Sequence, residues 1–153
     1  MPGCLKDATR VAKGKFKKLN AERVSTTEGN DDCTRTVYRV GSVVYKVNGH
    51  TPDNAAEYQI LSDLSDYEWA PPASLFNVAG NPILCMPYYP DLREHFDPPR
   101  AILDEITTVL EKWMYDHGMT HPNADLHSGN YRVIGPDQVM VIDACGTYPH
   151  TPR

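Results

Sequence analysis

The stretch from Ala101 to His117 constrains this chain most. Ile102, Leu103, Ile106, Val109, Leu110, Trp113 and Met114 recur there at helical spacing and make one apolar stripe. Gly118 follows and fits a C-terminal stop. This helix is flanked by runs of the opposite period. Arg35 to Val40 and Ser42 to Val47 are rich in valine and tyrosine and are separated by Gly41, so they predict a hairpin with Lys46 on its second strand. Asn81 to Tyr89 predicts a short apolar strand ending in a proline-flanked turn. Tyr131–Ile134 and Gln138–Ile142 predict a second hairpin around Gly135, Pro136 and Asp137. Thr51 as N-cap and Pro52 at the first helical position start a helix that reaches about Leu64 and carries Glu57 in its first half. A short amphipathic helix is expected within residues 5–20. Residues 25–34, 65–80 and the stretch closed by Pro98 and Pro99 read as irregular. The class is α+β.

A chain of 153 residues fits one domain or two small lobes, and can bury a core without covalent staples. Cys4, Cys33, Cys85 and Cys145 are far apart and form no CxxC pair, which argues against a disulfide framework or a zinc ribbon. No apolar run approaches the roughly 20 residues of a membrane span. No secretory leader is visible, so the expected location is the cytoplasm. Residues 1–24 carry Lys6, Arg10, Lys13, Lys15, Lys17, Lys18 and Arg23 against Asp7 and Glu22, while the remainder is acidic. A basic arm of this kind suits nucleic acid, a phosphate or an acidic partner. The near absence of aromatic stacking residues favours a solvated helix face or an arm docked on the protein's own acidic body.

The chemistry concentrates in the segment HPNADLHSGN, between the long helix and the last hairpin. Asp125 is followed five residues later by Asn130, and Asp143 stands directly after the hairpin's second strand. Loop and hairpin together can return the three side chains to one spot. Asparagine and carboxylate oxygens make a hard-ligand site suited to magnesium, which also takes waters and phosphate oxygens. A second carboxylate near the metal can deprotonate a hydroxyl. Lys46 and Glu57, on a strand and on the next helix, suit an ion pair that aims an ammonium at phosphate. A rival set, His117, His121 and His127 with Asp125, has zinc-type donors. Gly118 and Pro122 spoil its helical spacing, and loop histidines on a partly solvated surface are the simpler account.

These residues resemble the protein-kinase-like superfamily. D-L-H-S-G-N is similar to the catalytic loop in the H-x-D-L-H-x-G-N form of aminoglycoside phosphotransferases and atypical kinases. V-I-D-A-C-G resembles the metal-binding D-F-G segment, V-V-Y-K-V the V-A-I-K strand, and N-A-A-E-Y-Q-I-L the helix bearing the lysine's glutamate. I-L-C-M-P-Y-Y resembles the strand and hinge between lobes. The resemblance spans roughly residues 35–146, and brevity suggests small kinase-like proteins of bacteriophages, which act in the host cytoplasm. It implies a reduced two-lobed fold: a basic arm and turn-rich segment over 1–34, an N-lobe over 35–90, and a truncated C-lobe over 91–153. It implies ATP and Mg2+ as cofactors. Asp125 would accept the acceptor hydroxyl's proton, and Asn130 and Asp143 would hold the metal. Lys46, steadied by Glu57, would contact the α- and β-phosphates, and His127 would approach the γ-phosphate. With Met86 as gatekeeper, adenine would use the Pro87 carbonyl and the Tyr89 amide. The expected activity is phosphoryl transfer to a protein serine or threonine.

The chain also departs from the pattern. Asn123 stands where a histidine is expected, and Gly29 is the only glycine in TTEGNDDCTRT, beside Asp31 and Asp32. Those departures, with the short segment after Asp143, favour an alternative: a kinase-fold protein with weak or no catalysis that binds and regulates another protein. Adenylyl transfer on the same fold also stays open.

Overall fold

The computed structural model describes residues 4–12, 22–27, 35–47, 51–120, 122, 124 and 126–144. Among them are three α-helices, α1 (Cys4–Ala12), α2 (Thr51–Asp63) and α3 (Arg100–Asp116). The strands are β1 (Glu22–Thr27), β2 (Arg35–Val40), β3 (Val43–Val47), β4 (Ser74–Val78), β5 (Asn81–Pro87), β6 (Tyr131–Gly135) and β7 (Gln138–Val141). The chain divides into two compact units, residues 1–62 with 72–88, and residues 63–71 with 89–153. The α+β class is therefore as expected.

The first unit is built on an antiparallel sheet in the order β1-β2-β3-β5-β4. Its β2–β3 hairpin is the expected one, with Val40 opposite Val43 and Gly41 at φ +62 in the two-residue turn. Glycine at the first turn position suits the type II′ geometry whose twist matches the strands. Lys46 pairs with Leu84 of β5, and Val44 with Met86, so these four residues share one sheet face. Tyr45 and Val47 point to the other face, where they join Ala8, Val78, Ile83 and Cys85 in a buried cluster. Helix α1 packs there, against β3, β4 and β5. Because both faces are covered, the middle of β3 and of β5 reads as continuous apolar sequence rather than as alternation.

Three expectations change in this unit. Residues 65–80 are not irregular throughout, since β4 occupies Ser74–Val78 and pairs with β5. The two-residue loop, Ala79 at φ 51 and Gly80 at φ 84, is left-handed at both positions, the requirement of a type I′ turn. Alanine rarely adopts that conformation, so Ala79-Gly80 hides a hairpin that Asn-Gly would announce. Residues 25–27 likewise belong to β1, whose pairing with β2 overrides their polar, turn-like composition. Finally, the described parts of residues 1–34 belong to the first unit, in keeping with a docked arm rather than a solvated one. Ala8 is fully buried against the sheet, and β1 forms the sheet's edge. Residues 1–3, 13–21 and 28–34, which carry the rest of the expected basic arm and turn-rich segment, lie outside the described residues.

In the second unit α3 buries Ile106, Leu110, Trp113 and Met114, the centre of the predicted stripe. His117 caps the helix and Gly118 follows at φ +92, as the stop signal required. The β6–β7 hairpin also forms as expected, with Asp137 at φ 54 in the turn after Pro136. Residues 63–71 belong to this unit. The Val141 N–H donates to the Trp69 carbonyl at 2.9 Å, and the Trp113 indole donates to Asp63 at 2.8 Å.

Candidate functional site

In the first unit the sheet and α2 bring Lys46 and Glu57 together. The Lys46 Nζ donates to Glu57 Oε1 at 2.6 Å and lies 3.1 Å from Oε2. Lys46 is 4% exposed and Glu57 is fully buried. A buried pair of this kind gains from low dielectric only because each charge is matched; either alone would be costly. Asn54 fixes the geometry. It lies one helical turn before Glu57, is buried, and donates to the Lys46 carbonyl at 3.1 Å and the Pro82 carbonyl at 2.8 Å. Helix α2 thus grips the same strand residue by its backbone and by its ammonium. Sequence reasoning missed Asn54; its signal is a short amide side chain at i−3 from the glutamate on the helix face that meets the sheet.

At the end of β5, Met86 is buried on the Lys46 face and Pro87 pairs with Val43. The Tyr88 N–H donates to the Ser42 carbonyl at 2.8 Å, and the Arg39 guanidinium lies 3.7 Å over the Tyr88 ring. Tyr89 belongs to the second unit, and burial pushes its phenol above the ordinary tyrosine value, so it stays protonated at neutral pH.

In the second unit a 3-10 turn, Ser128–Asn130, leads directly into β6. Asn130 is 2% exposed. Its N–H donates to the His127 carbonyl at 3.0 Å, and its own carbonyl accepts from the Ile142 N–H at 2.9 Å and the Asp143 N–H at 3.3 Å. The two expected metal ligands therefore stand side by side, locked through backbone. Their amide and carboxylate oxygens fit the hard-donor preference of magnesium. His127 caps the turn, its Nδ1 accepting from the Gly129 N–H at 3.1 Å. That bond places the neutral ring's proton on Nε2. A Cβ at Gly129 would sit 3.0 Å from the imidazole, so glycine lets the ring fold over the turn.

Asp125, His121 and Asn123 lie outside the described residues. The chain on either side of position 125 is anchored. The Ala124 N–H donates to Glu111 of α3 at 3.3 Å, and Arg93 holds the Ser128 and Tyr131 carbonyls. Glu111, Asp91 and Arg93 were not singled out from sequence, because no motif marks them. Among the described residues no three histidine, cysteine or acidic side chains converge on a metal position. His117 of the rival zinc set instead stacks on Trp113 at 3.9 Å, with Nδ1 2.7 Å from the Trp113 carbonyl. No described helix is long and apolar enough to cross a membrane. Comparison with family models, curated proteins and solved structures finds no match to this chain.

Proposed function

We propose that this protein is an ATP- and magnesium-dependent phosphotransferase of kinase-like architecture, acting on serine or threonine of a protein. The observation that carries the reading is the buried Lys46–Glu57 pair, a strand lysine held by a helix glutamate. The side-by-side arrangement of Asn130 and Asp143 supports it. Lys46 neutralises charge on the α- and β-phosphates, and Glu57 keeps its ammonium aimed. Asn130 and Asp143 are the residues suited to hold magnesium, which supplies further charge neutralisation on phosphate oxygens when bound. His127 offers an Nε2–H to the γ-phosphate. Asp125 takes the proton of the acceptor hydroxyl as that oxygen bonds to the γ-phosphorus. The bond from the γ-phosphorus to the β–γ bridging oxygen breaks, and ADP leaves. Positioning and charge account for most catalysis in such transfers. Adenine contacts through the Pro87 carbonyl and the Tyr89 amide belong to the same proposal.

The test is incubation with γ-labelled or α-labelled ATP, magnesium and a cell lysate, using the parent and Asp125→Ala. Label from γ alone, lost in Asp125→Ala while nucleotide still binds, is the expected result. Transfer of α-label would mean nucleotidyl transfer. No label from either, with tight partner binding by both proteins, would replace the enzyme with the regulatory binder.

A further inference from the structure

We propose that Asp91 and Arg93 are the positioning residues of the candidate metal site, a role that rests on the phosphotransfer reading above. The segment Asp91-Leu92-Arg93 lies along the edge of β6 opposite β7 and satisfies that edge group by group. The Leu92 N–H donates to the Val133 carbonyl at 2.7 Å, and the Val133 N–H donates to Asp91 Oδ1 at 3.2 Å. Arg93 Nη2 donates to the Tyr131 carbonyl at 2.9 Å. Three outward backbone groups of a two-stranded hairpin are thereby paired, as a third strand would pair them.

The same Nη2 reaches back to the Ser128 carbonyl at 2.8 Å. A guanidinium nitrogen carries two coplanar hydrogens, one for each carbonyl, and the two carbonyls bracket Asn130 in the chain. Asp91 holds the guanidinium in register. Its carboxylate forms an ion pair with Arg93 Nε, by charge contact rather than an aligned hydrogen bond, and accepts the Arg93 N–H at 3.3 Å. The Tyr131 ring lies 5.1 Å from the guanidinium carbon. The Asn130 carbonyl in turn holds the Ile142 and Asp143 amides. Movement of the 128–131 turn is therefore passed to both metal ligands. Arginine is suited because one rigid plane presents Nη2 to both carbonyls while its Nε stays beside Asp91, which the single nitrogen of a lysine cannot do at once.

The experiment measures nucleotide affinity against magnesium concentration, with backbone amide exchange, in the parent, Arg93→Met, Arg93→Lys and Asp91→Asn. Arg93→Met is expected to raise the magnesium concentration for half-maximal effect roughly 10–100-fold, as loss of a residue orienting a metal ligand does. Metal-free nucleotide affinity should stay unchanged, and Arg93→Lys and Asp91→Asn should fall between. Exchange should accelerate at the Asn130, Val133 and Asp143 amides and stay unchanged at Lys46 and Leu84. An unchanged magnesium dependence in folded Arg93→Met overturns the assignment, and so does exchange that rises equally throughout the chain. A parent protein with no magnesium-dependent nucleotide binding sinks the phosphotransfer reading and the metal role together. In that case local exchange still shows whether the clamp holds the turn.

Discussion

The two sets of candidate residues, one in each unit, are held by different forces. In the first unit Lys46 and Glu57 are placed by each other, as opposite charges buried on a sheet face. In the second unit Asn130 and Asp143 are placed by backbone hydrogen bonds, through one carbonyl that receives two amides. Side-chain placement ties function to stability, because removing one charge strands the other. Backbone placement separates them, because a side chain can change while its scaffold stays.

The largest effect should come from breaking the Lys46–Glu57 pair. Lys46→Met leaves Glu57 buried without its partner and should cost about 3–5 kcal/mol in urea denaturation. The double variant Lys46→Met with Glu57→Leu should recover most of that, since matched apolar groups replace the pair. A Lys46→Met protein as stable as the parent would remove the contrast between the two sets of residues. Asn54→Leu should follow at about 1–3 kcal/mol, because the Lys46 and Pro82 carbonyls lose a buried donor. Thermal or urea unfolding reads this directly, and a loss near zero would mean that water replaces the amide.

Asp143→Asn sharpens the comparison from the other side. Its backbone anchor survives the substitution, so stability should change by about 1 kcal/mol or less. On the phosphotransfer reading, magnesium-dependent nucleotide binding should nevertheless be abolished. Undiminished magnesium-dependent affinity in the folded variant would dismiss Asp143 as a ligand. The smallest effect lies away from the site. Ala79→Asn relieves a left-handed alanine in the β4–β5 turn and should stabilise by about 0.5–1 kcal/mol. A loss of stability there would mean that the turn is not the I′ type its backbone angles indicate.

Much of the scaffold was legible in the sequence where local chemistry and tertiary environment agree. The β2–β3 hairpin, α3 with its Gly118 stop, and the β6–β7 hairpin follow from period and turn residues alone. Lys46 and Glu57 were paired from their place on a strand and on the helix after it. Strands β1 and β4 were not legible. Their polar or mixed residues acquire strand structure only by pairing with β2 and β5. Helix α1 was expected, but the sequence left open whether it is solvated or docked, since Ala8 offers one methyl group amid charged neighbours.

Sequence by itself determined the α+β class, the positions of Lys46, Glu57, Asn130 and Asp143 on strand, helix, turn and strand end, and the stop after α3. These follow from side-chain period, glycine conformation and donor chemistry, all properties of neighbouring residues. Tertiary structure alone decided that Asn54 grips the Lys46 backbone, that Ala8 lies in the sheet's core, and that Asp91 and Arg93 finish the edge of β6. Each of those joins residues far apart in the chain by satisfying backbone groups or filling a gap between elements. Such requirements arise only once the elements meet, so no local pattern encodes them.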